Sequence, residues 1–159
     1  MGLFSKKSAK ASASVQRIDA MLQDAFVETF SFDGEDHWVG REGSTVVCIQ
    51  YYNFPQGVGV VRVDAMVIRD VVATPALCSE LLTNPDYNRL IGRWDISADD
   101  ETPGKSIVNL GMTLLDAPEH LVAGELLNAV ILIAERADEV DDVLAAKFGG
   151  KTALQAYGN

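Results

Sequence analysis

The last third of the chain sets the strongest constraint on its fold. Between residues 118 and 148, apolar side chains recur at Val122, Leu126, Val130, Ile133, Ala137, Val140, Leu144 and Phe148. Spacings of three and four put them on one face of an α-helix. Asp116 and Glu119 flank Pro118 in the pattern of a capping box. Gly149-Gly150, just after Lys147, marks the end. The pattern predicts a helix of about 31 residues, hence about 46 Å at a rise of about 1.5 Å per residue. A body of about 136 residues folds to a diameter of only about 37 Å, so the helix should overhang its domain or carry a partner. Its first half, "LVAGELLNAVILIA", is apolar nearly all round, with Glu125 and Asn128 as the polar exceptions. Such a helix needs cover on two sides. One side is a sheet. The other is the first helix or a second copy of the chain, so a homodimer is expected, with Leu126, Val130 and Ile133 at its interface. The stretch is too short and too interrupted for a membrane span.

The rest of the chain supplies the sheet. Val15, Ile18, Leu22, Phe26 and Phe30 predict a first helix from Val15 to Phe30 behind an N-cap at Ser14. "SFDGEDH" reads as turn chemistry. Three strands follow: "HWVGR", "TVVCIQYY" and "VGVVRVDAMVIRDVV", separated by "EGS" and "NFPQG". In the third, Val61, Val63, Ala65 and Val67 share one face, and Arg62 and Asp64 the other. That is the alternation of an antiparallel sheet covered on one side. Thr74 and Pro75 open a short helix that Pro85 stops. The strand "RLIGRWDIS", the loop "ADDETPGK" and the strand "SIVNLGMTLL" lead into the final helix. Leu90, Gly92, Trp94 and Ile96 share one parity, so Trp94 faces the core and Gly92 leaves room for a helix to approach. Arg93 and Asp95 point the other way. In the last strand Val108, Leu110, Met112 and Leu114 form the inner face. The order α-β-β-β-α-β-β-α predicts an α+β class, an antiparallel sheet packed on one face by helices. A single domain over 15–150 is expected, between a disordered basic tail at 1–14 and a flexible tail at 151–159.

Chemistry-bearing patterns are sparse. The formal net charge of −10 argues against nucleic acid as the main partner. Lys6, Lys7 and Lys10 make the opening segment basic, but it has neither the apolar run of a secretory signal nor the myristoylation pattern. Cys48 and Cys78 lie within strand and helix patterns as small hydrophobes, consistent with a reducing cytoplasm. His37 and His120 are isolated. The loop "DISADDETPGKS" has Asp100 and Ser106 where a calcium loop needs Gly and Glu. No Gly-x-Ser-x-Gly or phosphate-binding glycine spacing occurs. Asp138, Glu139, Asp141 and Asp142 form an acidic run expected to be a solvated helix face. No catalytic residue, metal or cofactor is expected, and the leading class is a cytoplasmic, non-enzymatic protein that binds polypeptide.

With these elements in place, the chain resembles a known family. Asn84 ending the second helix, Gly92-Arg93-Trp94 opening a strand, and Asp138, Asp141, Leu144, Phe148, Gly149 and Gly150 closing the last helix carry the likeness. It is similar to the YbjN-like branch of the type III secretion chaperone-like (CesT-type) fold over residues 15 to 150. The resemblance implies an α+β sandwich, often dimeric, that holds extended segments of client proteins without ATP, along a strand edge or over an apolar groove. Arg62, Asp64, Arg93 and Asp95 on the less covered sheet face, with Tyr51, Tyr52 and Phe54 at one strand end, are the expected peptide contacts. Two rival readings stay open. One is a regulatory or scaffolding protein whose dimer face is its main surface. The other is a small-molecule-binding or enzymatic domain, which requires a closed pocket lined by Trp38, Tyr51 and Arg93.

Overall fold

The computed structural model describes residues 12–26, 29–55, 58–87, 92–116 and 121–158. Within them the order is α1 (Ala13–Ala25), β1 (Phe30–Phe32), β2 (His37–Glu42), β3 (Thr45–Asn53), β4 (Gly59–Val71), α2 (Pro75–Thr83), β5 (Arg93–Ala98), β6 (Ser106–Asp116), α3 (Ala123–Phe148) and α4 (Ala153–Tyr157). The strands form one antiparallel sheet in the order β1-β2-β3-β4-β6-β5. The class is α+β, as expected, with one strand and one short helix more than the sequence pattern shows.

Packing explains the core. Along β3, Val47, Ile49 and Tyr51 are buried, and along β4 Val61, Val63, Ala65 and Val67. α3 lies over this face and packs on β2, β3, β4 and β6, with α1 beside it. The whole predicted stripe from Leu126 to Leu144 is buried there. β4 changes face near its end: its register with β6 shifts after Met66 and again after Ile68. Val67 and Ile68, adjacent in sequence, are therefore both fully buried. Glycines admit bulk on the core side. A methyl on Gly40 would lie 2.6 Å from the Phe30 ring, and one on Gly59 would lie 2.4 Å from the Tyr51 hydroxyl. Gly92 behaves as its parity predicts, since a methyl there would reach Gly111 O at 3.2 Å and Ile133 Cδ1 at 3.4 Å.

Several predicted boundaries move. α1 starts at Ala13, capped by the Ser12 hydroxyl accepting from Val15 N–H at 3.2 Å, so Ser14 lies inside the helix. It stops at Ala25, and Phe30 belongs to β1, where its ring meets Phe26 edge-on. α3 starts at Ala123 and not near Pro118. Asp116 cannot cap it, because Asp116 ends β6 and its carboxylate takes the Arg17 guanidinium. Arg17 also donates to Leu121 O at 2.8 Å, which ties the end of β6 to the approach to α3. Glu125 accepts from Val122 N–H at 3.5 Å in place of the predicted cap. Pro118, Glu119, His120, Leu90 and the basic segment up to residue 11 lie outside the described residues. α3 thus has 26 residues, about 39 Å, and the predicted overhang largely disappears. α2 is as expected, with the Thr74 hydroxyl accepting from Leu77 N–H at 3.2 Å and Asn84 ending it.

Candidate functional site

The sheet face opposite α3 carries a compact charge network. Register aligns Cys48, Asp64, Gly111 and Arg93 in one row across four strands. Gly111 makes the row possible, since a methyl there would lie 2.1 Å from Asp64 Oδ1. Asp64 is seated in that space. It pairs with Arg62 beside it and with Arg93 Nη2 at 3.5 Å, while Arg62 Nη2 donates to Asp95 Oδ2 at 2.6 Å. All four charged residues singled out from alternation are thus brought together. Two cations answer two anions, and little charge is left over for a partner. Burial, and then the Asp64 carboxylate, push the Cys48 thiol up, so it stays protonated and is a poor nucleophile.

A different surface lies at one end of the sheet. β5 pairs with β6 only from Ser106 to Gly111. Among the described residues no strand pairs with Met112–Asp116 on the β5 side, although β4 pairs with them on the other. A groove of about 600 Å³ runs between this part of β6 and the first half of α3. Met112, Leu114 and Leu115 line one wall, and Leu121, Ala129 and Leu132 the other, with Glu125 and Asn128 as the α3 polar groups. Leu115 and Leu132 are 67% and 51% exposed, high values for leucines. Apolar surface continues over the edge: Tyr52, Val60 and Leu115 are cross-strand neighbours on the open face. Phe54 and Val58 beyond them are exposed too. A groove of apolar walls beside strand backbone that no described strand pairs is suited to an extended polypeptide.

Residues 12–156 match the family described as T3SS (YopN, CesT) and YbjN peptide-binding chaperone 1, TY-Chap1. The chain belongs to this family. No curated protein matches it significantly.

Several expected residues occupy other places in this TY-Chap1 chain. Tyr51 is buried on the α3 side, where its ring covers Gly59. It leaves the set of surface contacts, while Tyr52 and Phe54 remain in it. Leu126, Val130 and Ile133, expected at a dimer interface, are buried within the single chain on the inner side of α3. The outward apolar residues of α3 are Leu132 and Val143, at 51% and 54% exposure. Trp38, Tyr51 and Arg93 do not converge. Trp38 is wholly buried, stacked on Phe32 and donating to Asp19 Oδ1 at 2.9 Å, whereas Arg93 lies on the opposite face. The acidic run on α3 is not uniformly solvated. Asp141 is buried, and desolvation, reinforced by Asp142 and Asp138, raises its pKa to about 6.

Among the described residues no group of His, Cys, Asp and Glu is arranged to hold a metal. No helix among them is long and apolar enough to cross a membrane. Of the groove residues, Met112 escaped sequence reading because it fits the core parity of β6, while Leu115 and Leu132 lie off the core patterns of β6 and α3. The available signal was "LL" at Leu114-Leu115, which puts an apolar side chain on the face that should be wet.

Proposed function

We propose that this protein is a non-enzymatic chaperone or adaptor that holds an extended client segment in the groove between β6 and α3. The observation that carries this reading is the apolar-walled groove between Met112–Leu115 and the first half of α3, beside β6 backbone that no described strand pairs on that side. Five residues of strand, Met112–Asp116, give about 17 Å of edge. A client strand can pair its backbone with β6 and alternate its side chains, one set against Leu114 and Leu132, the other over Leu115, Val60 and Tyr52. The overall charge of −10 favours segments that are neutral or basic around an apolar centre. The Arg62–Asp64–Arg93–Asp95 network then frames the open face and is not the principal contact. The interaction needs no nucleotide, because the site offers surface and hydrogen bonds and no phosphate cradle.

The test is fluorescence anisotropy with reduced, carboxymethylated α-lactalbumin as a permanently unfolded probe, with and without ATP. Saturable binding that ATP does not change is expected. Absence of binding, or binding only with ATP, overturns the reading. A homodimer is the second reading, favoured by Leu132 and Val143, which stand three turns apart on the outer face of α3. Light scattering across concentration separates the two. If the outer face is a dimer contact, Val143→Asp yields a monomer that still binds the probe.

A further inference from the structure

The segment after α3 does not trail away. Gly149 and Gly150 both have positive φ, and a methyl on Gly150 would lie 2.6 Å from Arg69 O. Only glycine lets the chain pass this close to the end of β4. Lys151 and Arg69 then exchange two backbone hydrogen bonds of 2.9 Å each. α4 packs on β4 and β3. It does so on the open face, because Tyr157 lines a cleft of about 480 Å³ with Ser31, Val39, Arg41, Val46 and Cys48. Met66 of β4 is buried on that face. Ala153 is the buried contact of α4, with Thr152 buried at its N-cap. The remaining contacts are polar. Arg69 Nη1 donates to the Tyr157 hydroxyl and the guanidinium lies 5.2 Å from the ring centre. Arg41 Nη1 donates to Gly158 O at 2.5 Å, and Lys151 Nζ meets Asp70 at 3.0 Å.

These contacts describe a ligand in its site. Arg41 and Arg69 belong to the sheet, and Arg69 is positioned by Asp99 whether or not Tyr157 is present. The Arg69 guanidinium that meets α4 thus has an anchor apart from it. Yet α4 is a single short helix, its Leu154 and Tyr157 42% and 46% exposed, and its anchorage is largely a handful of hydrogen bonds. A short segment so held is exchangeable, since each net hydrogen bond contributes only about 1 kcal/mol.

We propose that this corner of the open face is a second peptide-binding site, filled here in cis by residues 151–158. Its ligand is a short segment with a small residue followed four positions later by an aromatic bearing a hydroxyl. The small residue enters against β4. The hydroxyl accepts from Arg69, and a main-chain carbonyl accepts from Arg41. In the intact chain the site is shut, and a partner segment of the same chemistry gains it by displacing α4. This site is separate from the β6 groove and does not require that groove to bind a client.

The test uses a chain ended at Gly150 and a synthetic peptide of residues 151–158, followed by nitrogen–proton NMR to millimolar peptide. Arg69 keeps Asp99, so the shortened chain should remain folded, which its spectrum reports directly. Expected are saturable shifts confined to Val39, Arg41, Val46, Cys48, Met66 and Arg69 in the shortened chain, and none in the intact chain. A peptide carrying phenylalanine for Tyr157 should bind about three- to tenfold more weakly, the loss of one hydrogen bond. If the shortened chain unfolds, the intact chain carrying Tyr157→Phe is titrated with the same peptide, and it should now admit it. No saturable shift in the folded shortened chain, equal shifts in the intact chain, or, where the shortened chain unfolds, no response of the Tyr157→Phe chain overturns the site.

Discussion

Arg69 grips Asp99 with two parallel hydrogen bonds, Nε to Oδ2 at 3.1 Å and Nη2 to Oδ1 at 2.6 Å, and both side chains are almost completely buried. The bidentate geometry ties the end of β4 to the loop between β5 and β6. Asp70, the next residue, is the one non-glycine with positive φ among the described residues. It accepts from Thr102 of the same loop at 2.8 Å and pairs with Lys151. Arg69→Leu strands Asp99 in a buried setting and should cost about 3–5 kcal/mol, read by urea unfolding. Adding Asp99→Leu should recover part of that loss, because no charge is then left unpaired. Equal loss in the single and double variants would mean that the loop is held by packing and not by this pair. The pair also fixes a pH window. Bonding to Arg69 lowers the Asp99 pKa below its ordinary value of 3.8, so its contribution is present above that value and disappears as the pH falls further.

Asp141 has the opposite sign. Burial on α3, with Asp142 and Asp138 nearby, raises its pKa to about 6. The folded state therefore holds a proton that the unfolded state has released between about pH 4 and 6. Stability from this group is full below that range and is lost as pH rises through 6. Asp141→Asn should raise the melting temperature at pH 7.5 and leave it unchanged near pH 4. A gain of the same size at both values would show that the carboxylate is not protonated in the fold.

Gly111 tests the open-face network. Gly111→Ala puts a methyl where Asp64 Oδ1 now sits, and backbone on both sides limits its retreat. The expected cost is about 1–3 kcal/mol, as for overpacking elsewhere. Asp64→Gly in the same chain should recover part of it. If Gly111→Ala alone is neutral in urea unfolding, Asp64 is not seated over Gly111.

What could be seen in the sequence follows from periodicity. The inner faces of β3, β4 and β6 and the stripe of α3 were legible because alternation and the helical repeat are local patterns. So was the grouping of Arg62, Asp64, Arg93 and Asp95, which parity alone puts on one face. Their contact across β4, β6 and β5 needed the register. β1 was missed because Phe30 also continues the helical repeat of α1, and strand pairing with Gly40 decided against it. The cap at Asp116 failed since a distant residue, Arg17, competes for the same carboxylate. Leu126, Val130 and Ile133 were correctly placed on one face, but the pattern cannot say whether that face meets a sheet in the same chain or a second copy. α4 is too short for any periodic signal and exists through its contacts with Arg69 and Arg41.

The α3 assignment separates stability from surface. Leu126 is 1% exposed and packed in the core, and Leu132 points outward. Leu126→Ala should cost about 2–5 kcal/mol, with the same loss at low and high protein concentration. Leu132→Ala should stay within about 0.5 kcal/mol. A loss at Leu126 that shrinks as the chain is concentrated would return that residue to a subunit interface.

The client groove makes the sharpest demand, because its residues should matter for binding and not for folding. Leu132 stands on the α3 wall of the groove and Leu115 on the open-face side of its β6 rim, and both are largely exposed in the free chain. Leu115→Asp or Leu132→Asp therefore removes little that folding depends on, and the melting temperature should stay close to that of the parent. A client that covers either leucine buries an apolar side chain worth about 1.5–3 kcal/mol, so each aspartate should weaken binding of unfolded α-lactalbumin by about tenfold or more. Arg62→Ala, on the open face, supplies the contrast: it breaks the pairing with Asp64 and Asp95 and should lower stability while leaving affinity within about twofold. If Arg62→Ala abolishes binding and the two leucine variants do not, the client lies across the charge network, and the β6 groove is not its site.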